Sequence, residues 1–86
     1  MTNEQIESLI GDLELPIDVT GISVEDYVDC AGDDAIRVTV ELASSVNVRR
    51  VSGERVAKMK QDIRETLLRN GVEKFPYIWV SQKAGA

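Results

Sequence analysis

The sequence predicts a two-layer α+β domain of order α-β-β-α-β, a three-stranded sheet with two helices packed on one face. Three observations predict it. Ala35 to Leu42 alternates strictly between apolar and polar residues, Val56 to Leu67 carries an apolar stripe of helical period, and Phe75 to Ser81 is an aromatic and β-branched run. At 86 residues, 43% hydrophobic and 29% charged, the chain is the size of one domain, assigned to residues 1–86 with 82–86 as a frayed tail.

The elements follow in order. Thr2 and Gln5 have the spacing of a capping box, and Ile6, Leu9, Ile10 and Leu13 fall on one helical face, so a first helix is expected from about residue 3 to 12. Pro16 stops it, and Asp18 to Gly21 supply turn residues before a first strand running from Ile22 to about Cys30. In the second strand Ile36, Val38, Val40 and Leu42 share one face while Arg37, Thr39 and Glu41 share the other. Ala31-Gly32-Asp33-Asp34 joins the two as a hairpin. A second helix begins with Ser52 as N-cap, places Val56, Met59, Ile63 and Leu67 inward, and ends at Gly71. Lys58 with Asp62, and Glu65 with Arg69, stand four residues apart on its exposed face. The last strand tolerates Pro76 only at its start or on a sheet edge.

Composition excludes several chemistries. The chain has no histidine, which removes the commonest general base, the commonest zinc ligand and every Ser-His or Cys-His nucleophile pair, so it is read as not an enzyme. Cys30, the single cysteine, lies beside Asp29, Asp33 and Asp34, whose charges oppose a reactive thiolate, and it is read as a small core residue. The acidic cluster from Glu25 to Asp34 lacks the alternate-oxygen loop of a calcium site, so no metal and no cofactor is assigned. The start of the chain lacks a signal-peptide pattern and no run is long enough to span a membrane, which points to a cytoplasmic protein without a membrane partner.

Charge is unevenly distributed. Residues 1–43 hold eleven acids against one base, and residues 44–86 hold nine bases against four acids, within a net charge of −5. The net acidity disfavours sequence-independent nucleic-acid binding, and the two halves are expected to neutralise each other across the surface.

The aromatic residues supply the candidate site. Period-two alternation puts Phe75, Tyr77 and Trp79 on one face of the last strand and Ile78 and Val80 on the other. Aliphatic residues suffice for a small core, which leaves the rings free for the uncovered face, with Tyr27 beside them; the alternative is that the rings are core. Placing Tyr27 outward turns Asp26 inward; the preferred resolution is a β-bulge near Glu25 and Asp26 that shifts the parity and turns Tyr27 inward, and the alternative is a functional buried acid at Asp26. Arg49 and Arg50, in the long connection from Ala43 to Val51, are added as candidate anion or carboxylate contacts, or as a solvated pair.

The element order resembles that of a type II KH RNA-binding domain, and also the small α-β-β-α-β domain of the iron–sulfur assembly family with a Cys-Pro motif. The KH resemblance implies single-stranded RNA or nucleotide binding, yet Val46 to Gly53 holds one glycine and no Gly-x-x-Gly loop. The iron–sulfur resemblance implies a cysteine after the second strand, where this chain has Ala43-Ser44-Ser45. The leading expectation is therefore a small interaction module binding a protein partner or a second copy through Tyr27, Tyr77 and Trp79. The alternative is a KH-like domain in which the rings stack bases while Arg49, Arg50, Arg55 and Lys58 meet phosphates.

Overall fold

A computed structural model describes residues 2–47 and 50–82. Its elements are α1 (Asn3–Gly11), β1 (Val19–Val28), β2 (Asp34–Leu42), α2 (Gly53–Arg69) and β3 (Phe75–Gln82). The sheet order is β1-β2-β3, with β2 antiparallel to β1 and parallel to β3. The predicted fold class stands: two helices cover one face of a three-stranded mixed sheet.

Local chemistry sets the helix ends. Thr2 Oγ1 accepts from Gln5 N–H at 3.1 Å while Gln5 Oε1 accepts from Thr2 N–H at 2.8 Å, closing the capping box reciprocally. Ser52 Oγ accepts from Arg55 N–H at 3.2 Å at the start of α2. At the other end Gly71 takes a φ of +79°, a conformation that a side chain penalises, and the chain leaves the helix there.

The buried layer is aliphatic. Ile6 and Ile10 of α1, Met59, Ile63 and Leu67 of α2, the four even-numbered residues Ile36 to Leu42 of β2, Val24 and Ile78 are all buried, with Ile17 from the α1–β1 connection. β2, as the central strand, gives its whole even-numbered face to this core. Val56, expected inward, is half-buried at the margin.

Four expectations are corrected. β1 starts at Val19 rather than Ile22, and its one register shift falls between Val19 and Gly21; Glu25 to Tyr27 pair with Arg37 to Ala35 without a bulge. Asp26 does point to the helix side, but at the strand's exposed end, where it accepts from Asn3 Nδ2 at 3.2 Å and lies 3.9 Å from Lys74 Nζ. Its carboxylate therefore never loses solvent, and the parity conflict that called for a bulge does not arise. Cys30 is exposed, not core, because the hairpin turn carries it past the end of β1. Gln82 belongs to β3 and is not frayed: its amide donates to Ala43 O at 2.9 Å and Val46 O at 2.6 Å, pinning the β2–α2 connection. Residues 83–86 of the expected tail lie outside the described residues.

Candidate functional site

The face of the sheet turned away from the helices is built in rows. Register places Tyr27, Ala35 and Phe75 side by side, then Glu25, Arg37 and Tyr77, then Ser23, Thr39 and Trp79. Strand alternation sends these odd-numbered side chains to the layer that neither helix covers.

Two tyrosines from opposite edges of the sheet meet above the central strand. The Tyr27 and Tyr77 ring centroids are 5.3 Å apart at an interplanar angle of 69°, and Phe75 meets Tyr77 edge-on at 4.8 Å. Ala35 lies between them in the sheet; with no side chain beyond Cβ it lets the rings close, and it is itself only 1% exposed. The rings thus form a second small apolar cluster on top of the sheet, and both tyrosines are half-buried in it.

Trp79 and Phe75 stay open, each 53% exposed. Both rings carry a guanidinium over one face: Arg37 lies 5.5 Å from the Trp79 centroid and Arg64 of α2 lies 5.6 Å from that of Phe75. Arg37 is further held by an ion pair with Glu25, its cross-strand partner. Tyr77 Oη donates to Asp29 Oδ2 at 3.3 Å. Partial desolvation, and then the negative charge of Asp29, push the Tyr77 phenol above its usual value, so it stays a neutral donor. Asp29 is at the same time the organiser of the hairpin turn, its Oδ1 accepting from Ala31 and Asp33 N–H at 2.9 Å each.

Of the residues singled out from sequence, the structure brings Tyr27 and Tyr77 together and sets Trp79 two residues along β3 on the same face. It does not bring the arginines there. Arg50 is exposed in the β2–α2 connection, beyond the Leu42 and Gln82 ends of their strands, whereas Tyr27 sits at the Ala35 end, roughly 20 Å away along the strand. Arg49 lies outside the described residues. Arg55 and Lys58 belong to α2, in the layer behind the sheet, and Lys58 is paired with Asp62 at 3.2 Å. Arg55 and Lys58 therefore occupy a different layer from the rings. The carboxylates of Glu25, Glu41 and Asp29 face or rim the aromatic surface together with the guanidinium groups of Arg37 and Arg64, so it carries both signs of charge and is not a basic patch.

Sequence reasoning passed over Phe75, Ala35 and Arg37 as site residues. Phe75 shared the parity of Tyr77 and Trp79, and Ala35 and Arg37 stood on the polar face of β2, so the signal was present. Among the described residues no three Asp, Glu or Cys side chains converge to hold a metal ion, and no helix is long and apolar enough to cross a membrane.

No protein-family model matches the chain, and no curated protein matches its sequence. Among solved structures it is similar to EscJ, a type III secretion system protein of enteropathogenic E. coli, with a TM-score of 0.51 at 17% identity. That alignment covers 94% of this chain and 45% of EscJ, so the chain spans less than half of that protein's length. At this identity the likeness concerns the fold.

Proposed function

We propose that the chain is a non-enzymatic interaction module whose uncovered sheet face binds a protein partner or a second copy of itself. One observation carries the reading: Trp79 and Phe75 remain half exposed on a face where Tyr27 and Tyr77 have already been locked into place. Rings fixed by neighbours lose little side-chain entropy when covered, and large aromatic side chains are the favoured anchors of protein interfaces. A nucleic acid is the less favoured partner, because Arg55 and Lys58 belong to α2 behind the sheet and the aromatic face carries carboxylates beside Arg37.

The test compares the wild-type chain with Trp79→Ala and Tyr77→Ala. Molecular mass in solution is measured across a concentration series, and partner capture is measured with each protein immobilised. The reading expects both variants to stay folded and to lose association or capture. Undiminished association by a folded Trp79→Ala chain sinks it. Binding of mixed-sequence RNA that weakens steeply with salt would favour the KH-like alternative instead.

A further inference from the structure

A second feature lies away from the aromatic face, on the free edge of β1. The connection that follows α1 leaves a cleft of about 560 Å³ against the start of β1, within the range of sites that hold small ligands or peptide segments. Leu13, Leu15, Val19 and Ile22 line it and are half-buried rather than packed away.

The backbone of β1 faces this cleft. Glu7 Oε1 of α1 accepts the Val24 N–H at 2.8 Å, which shows that Val24 directs its backbone polar groups outward, away from β2. Register is unbroken from Gly21 to Val28, and antiparallel pairing alternates outward and inward residues. Ile22 therefore also turns its N–H and C=O to the open edge, where its side chain lines the cleft. Glu7 fills the place of a neighbouring strand at Val24, and among the described residues no side chain does the same at Ile22.

Charge selects the occupant. Every titratable residue lining the cleft, Glu7 and Asp18, is acidic, and Asp12 and Glu14 alternate with its lining residues Gly11, Leu13 and Leu15. A second copy presenting its own β1 edge would bring the same carboxylates and be repelled. We infer that the β1 edge between Val19 and Glu7 takes an extended peptide segment from a partner protein, apolar at alternate positions with Lys or Arg between, added as a fourth strand. The segment pairs its backbone with Ile22, sinks apolar side chains between Leu13, Leu15 and Val19, and sets its cations against Asp18 and Glu7. The edge is separate from the aromatic face and does not depend on its assignment.

The probe is an end-blocked hexapeptide of alternating Val and Lys, titrated into the full chain and followed by amide NMR and hydrogen exchange. At a peptide concentration ten times its Kd, exchange of the Ile22 amide is expected to slow by about tenfold. A Val–Glu hexapeptide and a backbone N-methylated Val–Lys hexapeptide are expected to leave Ile22 unchanged. Asp18→Lys, at an exposed position whose backbone alone bonds Ala43, is expected to weaken binding by at least about threefold without loss of fold. The inference is overturned if the Val–Lys peptide shifts Thr39 and Trp79 in place of Ile22, or if no amide moves at millimolar peptide.

Discussion

Ile78 and Trp79 are neighbours in β3 on opposite faces of the sheet, so their replacement by alanine separates the core from the candidate interface. Ile78 is 6% exposed and belongs to the aliphatic layer beneath the helices. Removing its buried methyl and methylene groups leaves a cavity, at a cost of about 2–5 kcal/mol for an isoleucine truncated to alanine. A domain of this length has a total stability of roughly 4–13 kcal/mol, so the loss is a large fraction of it. Each 1 kcal/mol lowers Tm by about 4–8 °C at this size, and Ile78→Ala should melt at least ~8 °C lower or fail to fold. Trp79 is 53% exposed, and its alanine variant forfeits the Arg37 contact, worth about 0.5–1 kcal/mol at an exposed site. Thermal unfolding followed by far-ultraviolet circular dichroism reads both variants without needing the tryptophan. A Trp79→Ala chain as unstable as Ile78→Ala would refute the assignment of the two faces.

Other consequences are as direct. The Tyr77 phenol, raised by desolvation and by Asp29, is stabilised in its protonated form by folding; that contribution is full below pH 10 and is lost as pH rises through the folded value. Asp29→Asn should bring the Tyr77 titration back toward 10.0, read by tyrosinate absorbance, and an unchanged midpoint would show that Asp29 does not act on it. Gly71→Ala should destabilise by about 1–2 kcal/mol in denaturant titration; nothing stands within 4 Å of the added Cβ, so the cost comes from the φ of +79° alone. Gln82→Ala removes both bonds to the β2–α2 connection and should speed exchange of the Val46 amide, which donates to Ala43 O, while leaving core amides in β2 protected.

What sequence revealed depended on whether a signal was periodic or positional. The strict alternation of β2 and the Met59, Ile63, Leu67 stripe are periodic, and each selects one face without knowledge of its neighbours. The same arithmetic sent Trp79 outward. Asp26 and Cys30 went wrong because their surroundings are set by how far β1 runs: a position that alternation makes inward is harmless at a strand end beside Asn3 and Lys74, and a cysteine past that end joins the turn. Gly21 marked the real irregularity, yet a lone glycine after Asp18 reads equally well as a turn. Distance along the sheet was also invisible, so Arg50 and Tyr27 were grouped as one site although register puts them at opposite ends.

The central claim is that the aromatic face is open in the single chain and closes on a partner or copy. Emission from Trp79, the only tryptophan, measured across a dilution series with mass determined at each point, tests it most directly. The account predicts a red-shifted maximum, readily quenched by a neutral solute, in the dilute monomer, moving to the blue wherever mass rises. A blue, unquenched maximum in the monomer would place Trp79 in the core and contradict it.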